Sequence, residues 1–168
     1  MHTSFQEFLR QKLEGSDWKD RSRIRGEWLG ALNRLLDRIR DWLRESDPEG
    51  VLELITYEVE RVENRLGVYD APALKIRVNT DSVDVLPMGR FAMRPLSLQS
   101  LLLQNLPSIP VNQQVHEGRV DITDGERRYV LLRGIEDGQD HWYAVRGINQ
   151  AVPFDRTCLE EILKDLLS

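Results

Sequence analysis

Apolar residues recur at alternating intervals of four and three between positions 28 and 42, and this stripe constrains the fold more than any other feature of the chain. Its members are Trp28, Leu32, Leu35, Ile39 and Trp42, and Leu29, Leu36 and Leu43 widen it. Such spacing places apolar side chains on one face of an α-helix, with polar residues on the opposite face. The sequence therefore predicts a long amphipathic helix that packs against a core.

Two other N-terminal segments carry helix signals. Ser4 and Glu7 form a capping-box pattern, and the apolar residues that follow predict a short first helix ending at Gly15. Asp47 and Pro48 are typical of a helix cap and first turn, which favours a further helix over residues 51–66. Ile55, Tyr57 and Val59 also alternate as in a β-strand, so a strand remains an alternative for that segment.

The period of the apolar residues changes to two after Pro72, as expected for β-strands. Strands are predicted at residues 74–78, 83–86, 120–122, 129–132 and 142–145, with turns at 79–82, 124–125 and 137–138. Residues 94–117 are predicted to form an insertion between strands of the sheet, with a short helix over 96–106 and then a loop. A last helix is predicted from Pro153 onward.

These elements define an α+β fold class. Strands that follow one another without helical crossovers predict an antiparallel sheet with segregated helices. We expect two or three N-terminal helices and one C-terminal helix, packed on an antiparallel sheet of four to six strands. A chain of 168 residues fits one domain. Its expected parts are a helical part (1–67), a sheet (68–152, with the 94–117 insertion) and a closing helix (153–168).

Composition excludes several classes of protein. The single cysteine, Cys158, excludes an internal disulfide and a multi-cysteine zinc site, and the three histidines lie far apart, so we expect no metal and no cofactor. A net charge of −5 argues against extensive nucleic-acid binding. No apolar run approaches the roughly 20 residues that span a membrane. Without a signal-peptide pattern, a soluble cytoplasmic protein is expected.

Three sets of residues have the chemistry of catalytic groups, and each has a plainer structural interpretation. Cys158 lies near a helix N-terminus, where a thiol can be activated, but packing beside Leu159 is favoured. The second set could carry out acid–base chemistry and consists of His116 and His141 with Glu117, Asp121 and Asp140. The third set could bind magnesium and consists of Asp81, Asp84, Asp121 and Asp124. Histidines at turns usually lie exposed on the surface, and aspartates at turns usually accept hydrogen bonds from the local backbone. We therefore predict no catalytic residue.

Two arginines, Arg90 and Arg119, each follow a glycine. Glycines at such places often mark bulges or strand ends that direct the next side chain sharply. We expect each arginine to form a structural ion pair across neighbouring strands with Asp84 or Asp121.

A basic segment flanked by tryptophans is the predicted binding site. It consists of Trp18, Lys19, Arg21, Arg23, Arg25 and Trp28. On an unbroken helix, Arg21 and Arg25 lie on the same side as the tryptophans, which suits an anion or an acidic partner. In the favoured alternative the helix begins or kinks near Gly26, and residues 16–25 are only a solvated charged segment.

The function that these patterns favour is that of a non-catalytic protein-binding, adaptor or accessory protein. Tryptophan and arginine are enriched at interface hot spots, and a homodimer through the first two helices is a further expectation. The alternatives are a small metal-dependent hydrolase or nuclease, and a nucleic-acid or anion binder that uses the arginines of residues 19–25.

Overall fold

The fold is taken from a computed structural model that describes residues 4–15, 18–92, 103, 106–110, 116–147 and 150–168, without the side chains of residues 13–15, 18, 19 and 110. Within these residues there are three helices: α1 (Phe5–Gly15), α2 (Trp18–Ser46) and α3 (Arg156–Leu166). The strands are β1 (Glu53–Glu63), β2 (Gly67–Val78), β3 (Asp81–Gly89), β4 (Ile109–Pro110), β5 (Arg119–Thr123), β6 (Arg128–Glu136), β7 (Gln139–Gly147) and β8 (Gln150–Pro153).

The predicted α+β fold class is confirmed. The described strands form one sheet in the order β1-β2-β3-β5-β6-β7-β8-β4, and every neighbouring pair is antiparallel. Two helices precede the sheet and one follows it. The strand number exceeds the predicted four to six because β1, β8 and the two-residue β4 were not recognised.

Helix α2 covers the core with the face that the sequence predicts. Six residues of the stripe are buried: Trp28, Leu32, Leu35, Leu36, Ile39 and Leu43. The helix runs without interruption from Trp18 to Ser46, so the alternative that it begins near Gly26 is wrong. Trp42 is only half-buried and meets the ring of Phe154 edge-on at 5.6 Å.

The helix predicted over residues 51–66 is wrong, because Glu53–Glu63 is strand β1. The Asp47 carboxylate accepts hydrogen bonds from the backbone N–H groups of Val51 and Leu52, at 2.9 and 2.8 Å, and so closes a loop instead of capping a helix. Strand β1 then pairs with β2 over its whole length. The helical part of the chain therefore ends at Ser46, not at residue 67.

The predicted hairpin turn at 137–138 is confirmed by its backbone angles, and the turn between β2 and β3 is shorter than the predicted 79–82, because β3 already begins at Asp81. Asp137 and Gly138 have φ values of 52° and 74°, as a type I′ turn between β6 and β7 requires. Asn79, between β2 and β3, also has a positive φ of 54°. These residues are the ones that tolerate a left-handed backbone at low cost.

The closing helix begins three residues later than predicted. Pro153 ends strand β8, opposite Tyr143, and Asp155 caps α3 by accepting the Cys158 N–H at 2.8 Å. Most of the helix predicted at 96–106 lies outside the described residues, although Leu103 is fully buried. Within the described part of the chain, no helix is both long and apolar enough to cross a membrane.

Candidate protein-binding surface

Helix α1 presents its apolar face to solvent. Phe5, Phe8 and Leu9 are 74%, 50% and 49% exposed, and the two phenylalanine rings stack at 6.2 Å. The predicted cap is present, since Ser4 Oγ accepts the Glu7 N–H at 3.2 Å. An isolated helix of fewer than about 12–15 residues is marginal in water. An 11-residue helix with an exposed aromatic face therefore gains much stability if another surface covers that face.

The predicted basic segment divides into exposed and structural residues. Arg21 and Arg23 are exposed; Arg23 lies 3.8 Å from Asp20, whereas Arg21 has no hydrogen bond or ion pair to any described residue. Arg25 is half-buried, and its guanidinium donates to the Leu66 carbonyl at 3.4 Å. The side chains of Trp18 and Lys19 lie outside the described residues. A binding role therefore stays a prediction, and within this segment Arg21 and Arg23 are the described arginines that a partner can reach.

Trp28 is a core residue and is not accessible to a partner in the folded chain. It is fully buried, its Nε1 donates to the Tyr69 hydroxyl at 3.2 Å, and its ring lies 6.2 Å from that of Trp142. Gly118, with a φ of 143°, faces the same ring; a Cβ on Gly118 would lie 2.1 Å from it. The glycine before Arg119 therefore makes room for Trp28.

The carboxylates weighed for acid–base chemistry are held by arginines. Glu117 pairs with Arg90, Asp121 with Arg119 and Arg128 at 2.8 Å, and Asp140 with Arg34 and Arg133 at 2.8 and 2.7 Å. Burial opposes ionisation of Asp140, but these two guanidiniums outweigh it and lower the pKa of the carboxyl. An ion-paired carboxylate is a poor general base, because its charged form is already stabilised.

The two histidines do not form a pair on adjacent strands. His116 precedes β5 and His141 lies on β7, with β6 between these two strands. Burial lowers the pKa of His116, whose Nδ1 accepts the Gly118 N–H at 3.3 Å. His141 is 3.7 Å from Glu136. This placement offers no shared proton-transfer site.

The aspartates predicted as possible magnesium ligands either interact with other groups of the protein or lie alone on the surface. Asp84 accepts from the Tyr57 hydroxyl at 2.6 Å and pairs with Lys75 at 3.0 Å. Asp124 accepts the N–H groups of its own turn, which lower its pKa, and Asp81 is exposed at a strand end. In the described ranges, no three His, Cys, Asp or Glu residues are grouped to hold a metal ion.

The two glycine-preceded arginines form ion pairs, but not across strands as expected. Arg119 pairs with Asp121 two residues along the same strand. Arg90 pairs with Glu117 instead of Asp84. The Glu63 carboxylate, which the sequence did not single out, accepts the N–H groups of Arg90 and Phe91 at 3.2 and 2.9 Å and so fixes the end of β3 to the β1–β2 hairpin.

Cys158 is expected to react slowly with thiol reagents. It is fully buried, and desolvation raises the pKa of its thiol to about 12, with the charges of Asp155 and Glu161 acting in the same direction. Since the thiolate is the reactive species, labelling of the native chain at neutral pH should be many-fold slower than labelling in denaturant. Equal rates in the two states would contradict a structural role.

A second apolar surface lies at the opposite end of α2. A groove of about 640 Å³ separates the end of α2 from α3, and Leu43, Leu52, Leu163 and Leu167 line it. Its rim carries charges of both signs, from Glu45, Arg156, Glu160 and Lys164. The groove combines residues 43–52 with residues 156–168, which are far apart in the sequence, so no local pattern could have indicated it.

Comparison with known proteins adds no assignment to these observations. No family model, no curated protein and no solved structure matches the chain. The fold therefore defines a structural class: an antiparallel sheet with a long N-terminal helix and a short C-terminal helix packed on it, preceded by a short helix with an exposed apolar face.

Proposed function

We propose that the protein is a non-catalytic binding protein whose N-terminal segment, residues 4–25, contacts another polypeptide. The exposed face of Phe5, Phe8 and Leu9 is the observation that carries this proposal. Aromatic side chains are enriched at the buried centre of protein interfaces. Amphipathic helices bind partners through apolar residues spaced three or four apart, and these three residues have that spacing.

The charges that follow α1 support the same proposal. Arg21 and Arg23 are exposed on α2, in a chain whose net charge is −5. A local positive surface accelerates encounter with an acidic partner surface more than it strengthens the final complex. The single buried thiol supports a reducing cytoplasm as the place of this interaction.

Photo-crosslinking tests this function directly. A photoreactive phenylalanine analogue is placed at position 8 of the full chain, and a matched variant carries it at Ile135, which is 43% exposed in a different part of the fold. Irradiation in the native host should yield a discrete adduct from position 8 and none from position 135. Adducts from neither position, or equal diffuse labelling from both, would contradict a specific contact through α1.

Substitution of the exposed arginines separates binding from stability. Arg21→Glu with Arg23→Glu should leave the melting temperature nearly unchanged, because surface charges contribute little to stability. It should reduce the crosslink yield at position 8 several-fold, and more at low salt than at high salt. Arg25→Glu should instead lower the melting temperature, because Arg25 bonds the Leu66 carbonyl. An unchanged crosslink yield in the double variant would remove the arginines from the interface.

A further inference from the structure

We infer that α1 of one copy docks into the groove between α2 and α3 of a second copy, and that the two copies exchange these helices reciprocally. The inference rests on the proposed function, since it names the polypeptide that covers the apolar face of α1. It rests on two apolar surfaces of one chain, the face of α1 and the groove between α2 and α3, and on the distance between these two surfaces.

The groove suits an amphipathic helix. Leu43 and Leu163 form a buried floor, and Leu52 and Leu167 are half-buried beside it. Its volume of about 640 Å³ falls within the size range of pockets that enclose compact apolar groups. The rim charges already pair within the chain, since Arg156 lies 3.0 Å from Glu45 and 3.6 Å from Glu160, and Lys164 lies 3.2 Å from Glu161. The apolar lining is therefore what the groove presents to α1.

The geometry of α2 excludes the chain's own α1 as the occupant. At about 1.5 Å per residue, the helix places Leu43 about 38 Å from Trp18. From Trp18, three Cα steps of about 3.8 Å lead back to Gly15, and α1 adds about 15 Å from Gly15 to Phe5. Phe5 therefore reaches at most about 26 Å from the start of α2. An α1 that fills the groove must therefore come from another molecule.

A two-fold axis between two copies allows each α1 to contact the groove of the other copy. When two α2 helices lie antiparallel, the start of each helix is beside the end of the other, so each α1 meets the groove of its partner. Closed two-fold dimers of this self-complementary kind are the commonest homo-oligomers. With about 150–250 Å² for each fully exposed aromatic side chain, the exposed fractions of Phe5 and Phe8 give about 250 Å² of apolar surface. Leu9 brings the total on each α1 to about 300 Å².

The resulting interface has the size that a specific complex needs. With an equal area on each groove and two such contacts per dimer, about 1,200 Å² is buried, at the lower end of the range for specific interfaces. A single contact would bury only about half of that area. Reciprocal exchange is therefore the arrangement that the areas favour over a one-sided contact.

Light scattering on the full chain and two single variants tests the exchange. Phe8→Asp removes the helix side of the contact, and Leu167→Glu removes the groove side. The unmodified chain at about 100 µM, the order of concentration at which a minimal interface associates, should have the mass of two copies, and each variant alone the mass of one. An equimolar mixture of the two variants should associate far more weakly than the unmodified chain, because its single intact contact buries only about half of the area.

A matched control and a mapping measurement keep the result decisive if Leu167→Glu disturbs folding. Val62→Asp, at a 70% exposed apolar residue of the β1–β2 hairpin, should leave the dimer intact. Mixed ¹⁴N- and ¹⁵N-labelled chains, crosslinked from position 8, should give adducts between differently labelled chains that map to residues 43–52 or 156–168. A single-chain mass for the unmodified protein, or adducts elsewhere, would overturn the exchange. In the native host, adducts from position 8 to a different protein would overturn the exchange while leaving the proposed function intact, and no adduct there would overturn both.

Discussion

Replacement of Trp28 by alanine is expected to lower the free energy of unfolding by about 3–5 kcal/mol, the range for truncation of a buried aromatic residue. The side chain is fully buried, bonds the Tyr69 hydroxyl and packs against Trp142. It joins α2 to β2, β7 and the approach to β5, so its loss affects several elements at once.

Chemical denaturation of the purified chain measures this effect, and Trp42→Ala is the matched control. Trp42 belongs to the same stripe, so the pattern predicts that it is buried like Trp28, but in the structure it is only half-buried. Its truncation should cost about 1–2 kcal/mol, in proportion to the smaller apolar area lost. An equal or larger loss for Trp42 would show that the core is centred elsewhere.

A double-mutant cycle with Gly118→Ala tests the same packing independently. The new methyl group would overlap the Trp28 ring, and the positive φ of Gly118 adds strain that does not depend on the ring. Gly118→Ala should therefore destabilise the unmodified chain more than it destabilises Trp28→Ala. Equal effects in both backgrounds would mean that the ring does not occupy this position.

The second large effect is expected for Asp121→Ala, at about 3–5 kcal/mol, the range for removal of one member of a buried ion pair. The Asp121 carboxylate is fully buried and receives hydrogen bonds from Arg119 and Arg128 at 2.8–2.9 Å. Its loss deprives two guanidiniums of a shared counter-charge, one of them on a side chain that is only 13% exposed.

Arg128→Ala is the control for this pair, because the Arg128 side chain is 47% exposed and its contribution is partly screened by water. Denaturation midpoints should fall far more for Asp121→Ala than for Arg128→Ala. A loss below about 1 kcal/mol for Asp121→Ala would place the carboxylate in the class of surface pairs.

The sequence predicted those parts of the fold in which local physics decides. The α2 stripe has enough members to define a helix by itself, and Asp137-Gly138 meets the backbone requirement of a tight hairpin. Strand β1 was misassigned because Asp47-Pro48 resembles a helix start, whereas the carboxylate of Asp47 closes a loop. The alternation of Ile55, Tyr57 and Val59 was compatible with a strand, but the pairing with β2 that decides between strand and helix cannot be read from these residues alone.

The candidate site was predictable only in part, for a related reason. Periodicity shows that α1 has an apolar face but does not show what covers that face. On α2, Arg21 and Arg25 share one side of the helix, yet one is exposed and the other bonds the Leu66 carbonyl. Their difference depends on where the β1–β2 hairpin packs along the helix, which is a tertiary property.

Amide hydrogen exchange of residues 5–15 tests the central claim most directly, namely that another polypeptide covers α1. The exchange is measured on the dilute purified chain and on the same chain in the assembly purified under mild conditions from its host. An uncovered 11-residue helix should exchange rapidly in the dilute chain, and we expect exchange to be at least tenfold slower in the native assembly. Equally rapid exchange in both preparations would contradict a binding role for α1.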